Sequence, residues 1–232
     1  IPDSLPKDRP YFQALRFDPE LLHRTNGTVS TKPRMGISKA DLSELLQKWR
    51  AIGIAEIFVT NPVRENTFYY KTKSSFSYKA FPEGNLFESE KQNKGVLSDG
   101  SDFIESVLDA ARIYNIKVFF GLFPLGDPSL LTDLDLYESE QDSELKNRIK
   151  NALRATEKQA RDLFDQHGKK EAFSGWILSS PSRCIEQNKK FSSPLAKFLK
   201  ELDGRKAVML SLFPETKDCS GKENQEITLK KL

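Results

Sequence analysis

Acidic side chains follow several apolar segments that we interpret as strands. Asp18, Asp127 and Glu215 each stand just after such a segment. Two carboxyl groups on one face can act at a glycosidic bond, one as proton donor and one as nucleophile or base. Such groups lie about 5 Å apart in retaining sites and about 6.5–9.5 Å apart in inverting sites. Asp127 and Glu215 are therefore candidate catalytic residues, and the alternative is that they are solvated loop acids.

Other catalytic chemistries find little support in the residue pattern. The two histidines, His23 and His167, lack the spacing of zinc ligands. Ser179 and Ser180 do not form the Gly-x-Ser-x-Gly turn of a serine hydrolase. The chain carries no phosphate-binding loop and no Gly-x-Gly-x-x-Gly turn for a dinucleotide. We therefore predict no metal site and no cofactor.

The residues with chemical potential lie between strands and helices that alternate along the chain. The helix beginning at Ser38 has the clearest start, because Asp41 completes a capping-box-like pattern ahead of apolar residues at helical spacing. Further helices are predicted from near Ser101, Ser143 and Pro194. The predicted strands are Tyr11–Phe17, Ala55–Thr60, Lys117–Phe123, Phe173–Ser179 and Ala207–Phe213.

This alternation predicts an α/β fold with parallel strands joined by right-handed crossovers. Five strands are too few to close a standard eight-stranded barrel. An open doubly wound sheet is the alternative, but no glycine-rich turn follows the first strand. We therefore predict a partial barrel resembling a TIM barrel. The apolar run Ala55–Thr60 is typical of a strand covered on both faces.

The predicted loops differ in length according to the end of the strand they follow. Helix-to-strand connections are short, whereas strand-to-helix connections are long, above all Asn61–Gly100. In parallel α/β proteins, loops at the carboxyl ends of strands build the functional site. The candidate ligand-binding residues there are polar or aromatic: Asp18, Asn61, Tyr69, Tyr70 and Trp176. Of the aromatic residues, Tyr69 and Tyr70 are expected at the surface. Trp176 is expected either in the core or in the barrel interior.

A series of ordered motifs resembles a family of uncharacterised TIM-barrel proteins described as candidate glycoside hydrolases. The motifs are Leu108–Ala111, Lys117–Leu122, Phe173–Trp176 and Ala207–Ser211. The resemblance implies a Glu near Pro181, but the strand here ends Ile177-Leu178-Ser179-Ser180-Pro181. A serine hydroxyl cannot protonate a glycosidic oxygen at neutral pH, because its pKa is too high. If the resemblance holds at this position, the general acid is absent.

The resemblance and the missing acid favour binding over hydrolysis. We predict a catalytically degenerate, glycoside-hydrolase-like domain over residues 1–214, which binds carbohydrate or a protein partner on its carboxyl-end face. Residues 215–232 are predicted to be a polar tail or the start of a further segment. One alternative is an active glycosidase that uses other strand-end carboxylates or residues beyond 232. Another is a scaffold subunit of a larger assembly.

Composition and short motifs indicate the compartment and the partners. A formal charge of +3 gives little reason to expect a nucleic-acid partner, and no apolar run is long enough to span a membrane. Asn26 lies in an N-glycosylation sequon. Loops after neighbouring strands can bring Cys184 and Cys219 into disulfide range. We therefore predict a secreted or extracytoplasmic glycoprotein with a Cys184–Cys219 disulfide, the alternative being two free thiols.

Overall fold

The computed structural model of the chain describes residues 14–19, 22, 24–25, 28–29, 36–60, 62–64, 67–68, 70, 92–93, 95–123, 143–179 and 185–211. The helices in this part are α1 (Lys39–Ala51), α2 (Phe103–Ile113), α3 (Ser143–His167) and α4 (Ile185–Leu202). The strands are β1 (Ala14–Phe17), β2 (Arg24–Thr25), β3 (Thr28–Val29), β4 (Glu56–Val59), β5 (Val63–Arg64), β6 (Thr67–Phe68), β7 (Gln92–Asn93), β8 (Lys117–Leu122), β9 (Phe173–Ser179) and β10 (Ala207–Ser211).

The main sheet has five parallel strands in the order β1-β4-β8-β9-β10, which is also their order along the chain. When every right-handed crossover advances in the same direction, all the helices lie on one side of the sheet. A single core cluster agrees with this, because it joins residues of all four helices to one side of the strands. The architecture is therefore an arc of an α/β barrel, and the predicted fold class is confirmed.

Two small sheets accompany the main one in the strand-to-helix connections. Strands β2 and β3 pair antiparallel, and β5, β6 and β7 form a three-stranded sheet. Neither sheet was predicted from the sequence. Each of these strands is two residues long, which is too short to produce a recognisable alternation of apolar and polar residues.

Local hydrogen bonds fix the starts of α1 and α2. The Ser38 hydroxyl accepts from the Asp41 backbone N–H, while the Asp41 side chain accepts from the Ser38 N–H, so the predicted capping box is confirmed. The Asp41 carboxylate accepts from the Ser38 N–H and also from the Ser38 hydroxyl, and these two hydrogen bonds lower the pKa of Asp41. Helix α2, expected from near Ser101, begins at Phe103, where Asp102 is the N-cap and its side chain accepts from the Glu105 N–H.

Short turns with a left-handed residue connect the first two helices to their strands. Gly53 (φ 97°) follows α1, and Asn115 (φ 52°) follows α2. At each turn the next backbone N–H, of Ile54 or of Ile116, donates to a carbonyl five residues earlier, as in a Schellman motif. Glycine adopts this conformation without strain, and asparagine is the next most tolerant residue.

A bulge changes the facing of β9. Val118 pairs with Phe173, but the next residue of β8, Phe119, pairs with Gly175, which leaves Ser174 as an extra residue. At Gly175 the strands come very close, since a Cβ there would lie 2.2 Å from the Ala207 carbonyl oxygen. The position therefore requires glycine.

Helix α4 differs from the prediction. Pro194, expected in the first turn, lies inside an 18-residue helix that begins at Ile185. A proline in this position removes one helical hydrogen bond. Packing of Phe191, Leu195 and Leu199 into the core stabilises the helix on both sides of the proline.

Candidate functional site

Strand alternation divides the main sheet into two sides of different composition. The helix-facing side comprises residues that pack against the helices: Phe17, Ile57, Val59, Val118, Phe120, Leu122, Phe173, Trp176 and Leu178. The inner side comprises the alternating residues: Arg16, Glu56, Phe58, Lys117, Phe119, Gly121, Gly175, Ile177 and Met209. In a barrel the inner side faces the interior, below the carboxyl-end loops.

Strand β4, predicted to be covered on both faces, is covered more completely on one face than on the other. Ile57 and Val59 are fully buried on the helix-facing side, whereas Glu56 and Phe58 on the inner side are half-buried. The apolar character of Ala55–Thr60 arises partly from Phe58, which needs no second layer of helices to be stable.

A cation and two aromatic rings form one row across the inner side. Arg16 is directly paired with Phe58, and Phe58 with Phe119. The two rings meet edge-on with centroids 5.5 Å apart. Neither ring belongs to the main core cluster. Arg16 is exposed and Phe58 is half-buried, so solvent or a ligand can reach these two residues, whereas Phe119 is buried.

Asp18 and Thr60 continue the inner side at the carboxyl ends of β1 and β4. The Thr60 backbone N–H donates to the Phe17 carbonyl, which extends the β1–β4 pairing by one residue and brings Thr60 beside Asp18. The Thr60 side chain is about nine-tenths buried, and its hydroxyl has no hydrogen-bond partner among the described residues. Asp18 is half-buried and makes polar contacts of its own.

The amino end of the inner side carries an ion pair. Lys117 Nζ lies 3.5 Å from Glu56 Oε1, across the β4–β8 boundary. Both side chains remain partly exposed, so solvent screens the pair, and its stabilising effect is small. The row of Arg16 and Phe58 lies one step closer to the carboxyl ends.

Trp176 does not line the barrel interior. Its side chain is fully buried on the helix-facing side, where its ring meets Phe173 edge-on at 4.9 Å. The bulge at Ser174 is the cause, since it places Phe173 and Trp176 on the same side of β9 although they are three residues apart. Of the two roles considered for Trp176, core packing is the one its position supports.

The prediction that Tyr70 lies at the surface is also wrong. Its side chain is fully buried, and its hydroxyl donates to Asp162 Oδ2 at 2.9 Å. Asp162 Oδ1 also accepts from the Gln166 amide. Tyr70 therefore lies against α3, where the Asp162 carboxylate accepts the hydrogen bond of its hydroxyl. This position lies in the helical layer and not on the inner side.

His167 lies near the same group of buried polar residues. It is 6% exposed, and neither ring nitrogen has a hydrogen-bond partner among the described residues. Burial lowers the pKa of His167, opposed mainly by the charges of Asp102 and Glu105, while Lys170 lowers it further. A neutral imidazole is therefore the favoured form in the folded protein.

Several predicted site residues lie outside the described part of the chain. They are Asn26, Asn61, Tyr69, Asp127, Ser180, Pro181, Cys184, Glu215 and Cys219. Their roles therefore stay predictions. No group of acidic, histidine or cysteine residues suited to a metal ion occurs within the described ranges. None of the helices described above combines the length and apolar character needed to cross a membrane.

Arg16 and Phe58 were not among the site residues predicted from the sequence. The prediction concentrated on loops, whereas these two lie within strands. A signal was present, because polar Arg16 alternates with apolar Leu15 and Phe17. That alternation indicates a strand with one side less buried than the other.

One-sided helices on a parallel sheet in chain order define a protein of the α/β-barrel type. The sequence matches the family model described as "Domain of unknown function (DUF4434)" over residues 34–231, so the chain belongs to this family. No protein with a curated description matches the sequence. Membership and fold agree with the coarse resemblance to barrel proteins, while the degenerate motif at Pro181 stays a prediction.

Similar solved structures include two proteins from Bacteroides thetaiotaomicron. One, from strain VPI-5482, is described as a candidate alpha-L-fucosidase, with TM-score 0.49, 15% identity, and coverage of 86% of this chain and 51% of the other. The second is described as an alpha-L-fucosidase GH29, with TM-score 0.47, 11% identity, and coverage of 87% and 48%. The chain thus spans about half the length of these structures, and its fold assignment stands on the strand order.

Proposed function

We propose that the domain binds carbohydrate on the inner side of its sheet, toward the carboxyl ends of the strands. The observation that carries the proposal is the half-buried Phe58, held edge-on by Phe119 outside the main core. Sugar sites combine an apolar surface with a few polar groups that fix orientation. Arg16 and Asp18 supply such groups beside Phe58, and Asn61 and Tyr69 are further predicted contacts.

We further propose that this domain lacks ordinary glycosidase activity. The support is the sequence Ser179-Ser180-Pro181, where the family resemblance implies a Glu. Hydrolysis of a glycosidic bond needs two carboxyl groups, whereas binding of a sugar does not need a carboxyl group near Pro181. The competing function is hydrolysis by other carboxylates, such as Asp127 and Glu215, and the same experiment addresses both.

Calorimetric titration against a panel of oligosaccharides tests binding, while chromatography of the same mixtures tests hydrolysis. We expect at least one ligand to bind without turnover. Phe58→Ala should weaken that binding about tenfold, equivalent to ~1.4 kcal/mol. Ile113→Ala is the matched control, since Ile113 is also an accessible apolar residue but lies at the end of α2.

Two results would contradict this proposal. Equal affinity of wild type and Phe58→Ala would show that the binding site does not include Phe58 on the inner side. Turnover that disappears in Asp127→Ala or Glu215→Ala would establish the competing function.

We also propose an oxidising compartment, with a glycan on Asn26 and a Cys184–Cys219 disulfide. The sequon and the positions of both cysteines after neighbouring strands support this. Intact-mass measurement after alkylation, with and without reductant, distinguishes a disulfide from two free thiols. Two alkylated cysteines in the unreduced native protein would contradict it.

A further inference from the structure

Arg16 differs from the other charged residues within the strands of the inner side. Glu56 and Lys117 neutralise each other at the amino end. The Arg16 side chain, in contrast, has no hydrogen bond or ion pair with any described residue and is exposed, although its backbone pairs within the sheet. One positive charge on the inner side therefore has no direct ion-pair partner within the described part of the chain, although Asp18 lies on the same side two residues further on.

The surroundings of Arg16 make this unusual for a barrel interior. The inner layers of α/β barrels are dominated by bulky branched apolar residues. Here the row begins with a guanidinium and continues with Phe58 and Phe119. An arginine on an edge strand also protects against aggregation. That role does not require an aromatic neighbour, whereas ligand recognition benefits from one.

The chemistry of the guanidinium narrows the ligand class. Its planar fork of N–H groups matches the two oxygens of a carboxylate or a sulfate, with which it forms paired, charge-assisted hydrogen bonds. Adjacent strands are ~4.8 Å apart, about the width of a sugar ring. A ring lying over Phe58 can therefore direct an exocyclic acidic group toward Arg16.

We propose that Arg16 is the anion-recognising residue of the inner side, and that its ligand is a carbohydrate with an acidic group. This inference rests on the proposed carbohydrate-binding function and specifies the class of sugar. A uronic-acid carboxylate and a sugar sulfate share the required chemistry. Phe58 holds the apolar face of the ring, and Arg16 selects the charged substituent.

The test compares three oligosaccharide probes of equal length by calorimetric titration, one with uronic acids, one sulfated and one neutral. Wild-type protein should bind one acidic probe at least tenfold more tightly than the neutral probe. Arg16→Gln should abolish that preference, and Arg16→Lys should restore part of it, because a single charge remains without the fork. Arg112→Gln is the control, since Arg112 is an exposed cation on α2.

The outcomes separate this inference from the proposed function. Preference for the uronate probe or for the sulfated probe identifies the source of the negative charge. If Arg16→Gln binds the acidic probes as tightly as wild type does, the inference is overturned. If all three probes bind equally and Phe58→Ala weakens them, the inference fails while the proposed function stands. If no probe binds, both fail.

Discussion

The two sides of the main sheet share one backbone but have different surroundings. The helix-facing side is a continuous apolar layer in which Trp176 and Phe120 are fully buried. The inner side alternates with it residue by residue, yet it carries an exposed arginine, an ion pair and the half-buried Phe58. This difference indicates that residues packed against the helices stabilise the fold. Residues on the inner side are less constrained by packing and can include groups suited to binding a ligand.

The sharpest test of this comparison removes one aromatic ring from each side. Trp176→Ala should lower the free energy of unfolding by about 3–5 kcal/mol, because it empties a fully buried site. Phe58→Ala should cost less, about 1–2 kcal/mol, because that ring is only partly buried and lies outside the main core cluster. Urea denaturation followed by circular dichroism measures both. Similar losses for the two variants would refute the division into a stabilising side and a recognition side.

A second test concerns the backbone of the inner side. Gly175→Ala should cost about 1–3 kcal/mol, because its Cβ would collide with the Ala207 carbonyl and push β9 away from β10. Gly204→Ala is the matched control, since its Cβ would meet the Lys200 carbonyl at an ordinary 3.6 Å. Thermal unfolding of both variants gives the comparison. An unchanged melting temperature for Gly175→Ala would show that the strands can separate without cost.

A third and smaller effect comes from the helical layer. The folded state disfavours protonation of His167, while the unfolded chain takes up that proton near pH 6.5. His167 should therefore cause no loss of stability above about pH 6.5. The free energy of unfolding should decline as the pH falls from there toward the lowered pKa of His167 in the folded state. Denaturation of wild type and His167→Gln at pH 7.5 and pH 5.5 measures this.

Glutamine approximates the size of imidazole and does not titrate in this range, so His167→Gln should lose less stability on acidification than wild type does. The groups around His167 that carry charge are Asp102, Glu105, Asp162 and Lys170. If both proteins lose stability by the same amount, those carboxylates and not His167 determine the acid response.

The sequence predicted those elements whose determinants are local. The cap at Ser38 with Asp41 and the apolar strand Phe173–Ser179 depend on a few neighbouring residues. Sequential alternation of strands and helices then constrained the topology, which is why the partial barrel was predictable.

The facing of side chains was less predictable, because it depends on contacts distant in the sequence. The extra residue Ser174 reverses the alternation of β9 and moves Trp176 to the helix-facing side. Tyr70 is buried because Asp162, 92 positions further along the chain, accepts its hydroxyl hydrogen. Composition alone indicates a surface loop at Tyr70, and only the packed structure shows the partner.

The agreement between spatial and sequential strand order has a consequence for biosynthesis. Each strand of the main sheet pairs with the strand made just before it, so a nascent chain always presents a formed edge to the segment that follows. Contacts of short sequence separation close with a small entropic cost. We therefore expect the sheet to assemble in the direction of translation, with β1 and β4 docking around α1 while β10 is still being synthesised.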